Sequence, residues 1–345
     1  MKIAIIGMGR VGETLAYSIV MRGLCDHLIL CNRTASTATG DAMDLQHSLA
    51  FCQHSMKISS GEIAQAKDAD IVVITASISM SKTMSSRTEL GLVNVALFRE
   101  LVPLIASNNP DAVLVIVSNP VDALTYLTTK LSGFAASQVI GVSTLIDSAR
   151  FRVMLSQVEK IHPDDLRAYV VGEHGPNQFP IFSQAIVGCE SINDNPLHRE
   201  IFDQVTDAGF EVYHNKGYTN FAIANACTEV LRTIVSDAHR TMPLCTYFDE
   251  WLGITNNCFS IPVVVGRRGI IRYLYPALNK REQQDLNSQA RHATSRNSGT
   301  PVAVIRSPTQ RIGDAPAALR PPQTEHKAAQ SWLPQMALRL FGIKF

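Results

Sequence analysis

The chain has 345 residues, 46% hydrophobic and 18% charged, with 31 Lys/Arg against 30 Asp/Glu. The balance suggests no nucleic-acid partner, and no apolar run approaches the roughly 20 residues needed to cross a bilayer, so no membrane partner is expected. The length suits two domains or one large one, and seven cysteines without C-x-x-C spacing predict reduced thiols of a cytoplasmic protein, with neither a disulfide framework nor a metal site.

Lys2–Ile6 reads as a short buried strand, followed by Gly7-Met8-Gly9-Arg10-Val11-Gly12 and a helical apolar pattern (Val11, Leu15, Ile19, Val20). In this G-x-G-x-x-G, Gly7 allows a tight turn, Gly9 lets the backbone approach a pyrophosphate, and Gly12 lets helix and strand pack closely. The unpaired amides of the helix N-terminus then face the phosphates. A second strand at His27–Cys31 ends on Asn32-Arg33, where NAD sites of this design usually place Asp or Glu. Asn32 removes a charge that repels a 2′-phosphate, and Arg33 offers one that attracts it. The alternative is that Asn32 still bonds the ribose and Arg33 points into solvent.

Further strands are expected at residues 71–75, 113–117 and 139–141, with helices between them, which implies parallel strands joined by crossovers. Ser86-Arg87-Thr88-Glu89 fits a capping box, and Leu90, Val93, Leu97, Leu101 and Leu104 follow at helical spacing, with Pro103 expected to kink or end the helix. From about Ser143 the pattern turns to longer helices, with strands near Tyr169, Ile186 and residues 261–265.

Asp147-Ser148-Ala149-Arg150 precedes Val170-Val171-Gly172-Glu173-His174-Gly175. Together these residues supply a proton donor, a carboxylate that keeps the donor charged, and a guanidinium for an anionic substrate. That is equipment for hydride and proton transfer on a 2-oxo acid. From Arg291 onward eight Lys/Arg stand against two Asp/Glu, with six of the 16 prolines. This segment predicts a mostly disordered basic extension, with residues 332–345 able to form a short amphipathic helix. The expected organisation is a dinucleotide-binding domain at 1–142, a substrate domain at 143–292 and a tail at 293–345.

The motifs GMGRVG, VSNPVDALTY (117–126), LIDSARFR (145–152), GEHG (172–175) and KGYTNFAI (216–223) resemble, in order, those of the lactate/malate dehydrogenases. GDAMDLQHS (40–48) and the intact DSARFR lean toward the L-lactate branch. The likeness covers about residues 1–290. It implies an α/β fold, with an N-terminal Rossmann-type doubly wound parallel sheet and a C-terminal mixed α+β substrate domain. It also implies NAD as coenzyme, a small 2-oxo or 2-hydroxy acid as substrate, and a homo-oligomer (dimer or tetramer).

By that resemblance His174 is the acid/base, Asp147 orients it, Arg150 takes the substrate carboxylate bidentately, and Arg87 polarises the carbonyl. Asn119 bonds the reacting oxygen, with Asn119-Pro120 a candidate cis peptide, and Thr219 and Ile223 line the pockets. Coenzyme contacts are implied at Gly7, Gly9, Arg10, Val11, Gly12, Asn32, Arg33, Thr75, Ala76, Ser77, Asn94, Val117, Asn119 and Ile223. Six residues before Arg87, the family's malate enzymes carry arginine and its lactate enzymes usually glutamine; here Ser81 stands there, in a loop one residue different in length. Malate loses ground to pyruvate, and a bulkier apolar 2-oxo acid gains some. Arg152 and Arg167 fall where bacterial members bind fructose 1,6-bisphosphate. A metal-dependent glycosidase of the same fold needs a Cys/His pair that is not evident, and a catalytically retired relative has no need to keep Arg87, Asp147, Arg150 and His174 together.

Overall fold

The computed structural model describes residues 1–78 and 87–299, apart from the side chains of 87–90 and 290–299. The first half alternates β1 (Lys2–Ile6), α1 (Arg10–Arg22), β2 (His27–Cys31), α2 (Ala35–Ser48), β3 (Lys57–Gly61), β4 (Ile71–Ile74), α3 (Arg87–Asn108), β5 (Val113–Ile116), α4 (Val121–Ser132) and β6 (Val139–Gly141). The six strands are parallel and lie in the order β3-β2-β1-β4-β5-β6. The order reverses between β1 and β4, so the crevice at their carboxyl ends is where a dinucleotide is held in such sheets.

Every residue of β4 and β5 is buried, as continuous β-branched and leucine runs in a sheet covered on both faces require. The period-2 alternation of β1 divides the core: Ile3 and Ile5 pack on one face with Leu15 and Ile19 of α1, Ala4 and Ile6 on the other with Phe98 and Val102 of α3. Helix α3 differs from expectation in its buried stripe, and of the two outcomes expected at Pro103, a kink or an end, it does not end there. Among its described side chains the wholly buried apolar ones are Phe98, Val102 and Ile105, whereas Leu104 is half exposed, so the buried stripe lies about one residue away from the leucine series. It continues to Asn108 through Pro103, whose ring faces solvent, where a carbonyl freed by the missing N–H can meet water. Ser86, the cap expected from sequence, lies outside the described residues.

The second half comprises α5 (Leu145–Glu159), β7 (Leu166–Arg167), β8 (Val170–Val171), β9 (Phe179–Pro180), β10 (Ile186–Val187), β11 (Glu190–Ser191), α6 (Pro196–Lys216), α7 (Phe221–Ser236), β12 (Arg240–Trp251), β13 (Ile254–Gly266), β14 (Gly269–Tyr273) and α8 (Lys280–Gly299). β7, β10 and β11 form a small antiparallel sheet, and β8 and β9 a pair. β12, β13 and β14 form an antiparallel meander that joins β6 through Cys245 opposite Gly141, extending the parallel sheet to nine strands. Thus the α/β Rossmann-type sheet carries a mixed α+β half. Of the meander only residues 261–265 are legible as strand; β12 and β14 are not, and neither is β3. Helix α8 runs to Gly299, seven residues past the tail boundary expected at 292. No proline interrupts residues 280–299, and the first in the tail is Pro301. Residues 300–345 lie outside the described residues.

Candidate active site

The glycine turn is built by steric necessity. Gly7 has φ +110°, and a Cβ there would lie 2.5 Å from the Ala76 nitrogen. A Cβ on Gly12 would meet the Gly7 carbonyl oxygen at 2.1 Å, so α1 reaches β1 only with glycine at that point. Thr75 closes the turn by donating its hydroxyl to the Gly7 oxygen (2.6 Å), and the Gly7 amide donates to the Cys31 carbonyl (2.7 Å). Helix α1 begins at Arg10 after Gly9, with no side-chain cap, so its leading amides are presented to the crevice. Nothing stands within 4 Å of a Cβ placed on Gly9, which leaves the backbone open to close approach. This cradle fits a dinucleotide pyrophosphate.

The other expected coenzyme residues gather around it. Val11 packs on the core and the Arg10 guanidinium lies 3.9 Å from the Tyr218 ring centre. Asn94 is fully buried: its amide donates to the Ser77 hydroxyl (3.0 Å) and the Asn119 carbonyl (2.8 Å), and its oxygen accepts from the Ile78 amide (2.9 Å). Asn94 therefore acts as a bracket that fixes Ser77 and Asn119, the exposed groups. Val117 is buried just past β5, and Ala76 is half-buried beside the turn. The Asn119-Pro120 peptide is cis. Asn32 is half-buried at the end of β2, while Arg33 is exposed.

The proton-transfer groups converge from separate elements. Asp147 lies in the first turn of α5, after the N-cap Thr144, and the residue is 1% exposed. Arg150, three residues on, donates from Nη1 to Asp147 Oδ1 at 2.9 Å. His174 follows β8, and its Nδ1–H donates to Asp147 Oδ2 at 2.6 Å, leaving Nε2 for a substrate. Gly172, with φ +97°, turns the chain out of β8, and its amide and carbonyl both pair with Ser260 of β13. Burial is the largest influence on His174 and opposes the imidazolium. The hydrogen bond and charge of Asp147, with the charge of Asp122, outweigh it and hold the histidine above its usual range.

Asp122, which sequence reading left without a role, is buried in the first turn of α4 and accepts the His174 main-chain N–H at 2.8 Å. Its only sequence signal is its place in the run at 117–126. Thr219 and Ile223 stand half-buried in and after the α6–α7 connection, where Asn220 donates to Thr14 Oγ1 of α1 at 2.7 Å. Arg87 begins α3, but its side chain lies outside the described residues, as does the whole of Ser81. Arg152 and Arg167 are brought together with Arg240 on a separate cavity of about 240 Å³, where Arg152 stands 4.0 Å from Asp164.

A dinucleotide cradle at a sheet switch point, next to a histidine–aspartate pair and a guanidinium, defines the class of nicotinamide-dependent dehydrogenases that move a hydride and a proton together. The family model described as lactate/malate dehydrogenase, NAD binding domain, matches residues 1–141, and that for the alpha/beta C-terminal domain matches residues 144–296. The chain belongs to the lactate/malate dehydrogenase family. It is 35% identical over 300 residues to an L-lactate dehydrogenase of Gloeobacter violaceus, covering 84% of this chain and 90% of the relative. It is 34% identical over 298 residues to one of Synechococcus sp., covering 84% and 96%. A solved lactate dehydrogenase from a Medee basin deep-sea metagenome library superimposes with a TM-score of 0.82 at 30% identity, covering 87% of this chain and 98% of that one.

Proposed function

We propose that this protein is an NAD-dependent L-2-hydroxy-acid dehydrogenase that interconverts L-lactate and pyruvate. The observation that carries this is the 2.6 Å His174–Asp147 pair beside Arg150, within a family whose similar members are L-lactate dehydrogenases. The nicotinamide supplies or accepts the hydride. For reduction, His174 enters as imidazolium, places Nε2–H on the substrate oxygen and gives up that proton as charge develops there. Asp147 keeps the ring in the tautomer that leaves Nε2 outward and compensates its charge. Arg150 holds the carboxylate, Arg87 polarises the carbonyl, and Asn119 and Thr219 fix the reacting oxygen and the pocket wall. For oxidation the neutral ring takes the hydroxyl proton.

Gly7, Gly9, Arg10, Val11 and Gly12 hold the pyrophosphate, Asn32 the ribose, and Thr75, Ala76, Ser77, Val117 and Ile223 the remainder of the coenzyme. With Asn32 uncharged and Arg33 exposed, NADPH is accepted beside NADH. With no arginine at Ser81, oxaloacetate lacks a partner for its second carboxylate, and malate and branched 2-hydroxy acids are the lesser substrates. Arg152, Arg167 and Arg240 around one cavity favour a bisphosphate effector there. Exposed Tyr17, Met21, Met43 and Phe51 support a homo-oligomer, and the seven free cysteines suit the cytoplasm. No described helix is long and apolar enough to cross a membrane.

The test is a set of initial rates with pyruvate, oxaloacetate and branched 2-oxo acids, each with NADH and NADPH, for the wild type and Asn32→Asp. Pyruvate should lead, and the variant should lose NADPH while keeping NADH. A wild type that rejects NADPH by about a thousandfold would show that Asn32 is only a ribose ligand.

A further inference from the structure

The start of α1 is fastened from outside by the connection between α6 and α7. Arg10, Thr14 and Ser18 are spaced four apart, so they share one side of α1, and each meets a residue from 218 to 228. The Arg10 guanidinium lies 3.9 Å from the ring centre of Tyr218, Thr14 Oγ1 accepts from the Asn220 amide at 2.7 Å, and the Ser18 and Thr228 hydroxyls are 3.0 Å apart. Thr14 donates its own hydroxyl to the Arg10 carbonyl at 2.7 Å. Asn220 is buried, and its amide oxygen accepts the Lys216 ammonium. Lys216 also stands 4.5 Å from the Tyr218 ring centre and 3.9 Å from that of Phe221. Two cations thus share the Tyr218 ring, one of them the first residue of the helix that faces the pyrophosphate cradle.

We propose that Tyr218 is a positioning residue for coenzyme binding: its ring holds Arg10 ready for the pyrophosphate and ties the connection that carries Thr219 to the coenzyme turn. The inference rests on Arg10 being a pyrophosphate contact. Arg10 is exposed and follows Gly9 directly, so its long side chain needs a support to keep one direction. A carboxylate would supply that support by occupying the N–H donors and cancelling the charge. An aromatic face attracts the guanidinium through its π-electrons and takes none of its five N–H donors, which stay available to phosphate oxygens. An arginine already ordered also loses less freedom when the coenzyme arrives. The second cation, Lys216, adds to the positive field around the ring, and an anion in the cradle relieves the repulsion between the two.

The same ring reaches the substrate side. Gly217, with φ +82°, ends α6, and Tyr218 is followed at once by Thr219. The pocket residue is therefore next in the chain to the anchor, and loss of the anchor is felt by both ligands.

The experiment compares Tyr218→Phe, which keeps the ring, with Tyr218→Leu, which keeps apolar bulk without a π face. The NADH dissociation constant is read by fluorescence titration, and KM for pyruvate at saturating NADH. Tyr218→Leu should weaken NADH binding about threefold to fivefold and raise the KM about twofold or more, whereas Tyr218→Phe should follow the wild type. In an Arg10→Gln background, where NADH already binds more weakly, adding Tyr218→Leu should cost NADH affinity nothing further. Wild-type NADH affinity in Tyr218→Leu, equal losses in the two Tyr218 variants, or a full additional loss on top of Arg10→Gln overturns the positioning role. An unmoved KM in Tyr218→Leu overturns the tie to the substrate pocket. If the wild type binds NADH and Tyr218→Leu binds it equally well, this inference alone falls. If the wild type fails to bind NADH, the coenzyme reading falls and takes the inference with it.

Discussion

At the scale of single residues, the chemistry depends on one short bond and one ion pair. His174 is held above its ordinary value of 6.5, chiefly by Asp147 acting against burial, and the sign of the consequence follows directly. A raised value means that the imidazolium, and any stability it adds through Asp147, is fully present below the unfolded value and is lost as pH rises through the folded one. Pyruvate reduction, which needs the imidazolium, should therefore keep its activity to a pH above 6.5, and lactate oxidation should have its acid limb displaced upward by the same amount. His174→Gln should remove about two to four orders of magnitude of turnover and leave coenzyme binding intact. Retention of more than about a third of wild-type kcat, with chemistry rate-limiting, would sink the assignment.

Arg150 lends one guanidinium nitrogen to Asp147 and sits against α6, where a side chain on Gly209 would come within 3.3 Å of Nη1. The fork is thus held in place while its remaining N–H groups stay available to an anion. Lysine keeps the charge but has no fork, so Arg150→Lys should raise KM for pyruvate about tenfold or more. An unchanged KM would transfer the carboxylate to another cation, with Arg87 first in line. Asp147 and Asp122 divide the work on His174: one holds the ring, the other the main chain.

At the scale of elements, the parts legible in sequence are those whose cause is local. β1, the glycine turn and α1 announce themselves within 22 residues, because turn geometry, phosphate approach and helix start are set by neighbours in the chain. Gly12 shows how little tolerance that arrangement has. Gly12→Ala must force α1 away from the Gly7 carbonyl, an overpacking that typically costs about 1–3 kcal/mol, and the amides aimed at the pyrophosphate move with it. The expected result is a lower melting temperature together with at least about tenfold weaker NADH binding; a variant matching the wild type in both would show that the helix start adjusts freely.

Other parts are illegible because their cause is distant. The role of Asp122 depends on an amide 52 residues away, and the strand character of β12 is masked by Pro243 within it. β3 carries Lys57, Ser59, Ser60 and Gly61, so its edge position, paired only to β2, leaves no hydrophobic run to detect. For α3 the leucines mark a helix correctly but lie beside the most buried stripe, because Phe98, Val102 and Ile105 win the sheet contact while Leu101 packs at its margin. Position 32 is readable as a residue type, yet the exposure of its neighbour Arg33 depends on a surface that local sequence does not describe.

At the scale of the whole molecule, the family models end at residue 296, and the last 46 residues, 300–345, lie beyond them. That segment is proline-rich and basic, with no counterpart among the motifs that carry the resemblance. Cutting the chain after Gly299 leaves α8 whole. Activity should then be retained and the melting temperature should stay within a degree or two, about the change that a few tenths of a kcal/mol produces in a protein of this size. A loss of several degrees, or a change of oligomeric state, would make the segment a docking element.

The seam between the two halves has a bearing on recombination. β6 meets β12 at Gly141, where a Cβ would lie only 2.9 Å from that of Cys245, so the strands approach there because one partner has no side chain. The boundary near residue 142, which looks in sequence like a junction between modules, therefore divides a single hydrogen-bonded sheet. An isolated first half would carry β6 as a bare, fully buried-type edge of Val139, Ile140 and Gly141, and such edges recruit other chains. A chimera that exchanges coenzyme halves between relatives inherits the same problem in milder form. Its crossover is better placed so that β6 and the β12–β14 meander come from one parent, with the glycine and the strand it admits travelling together.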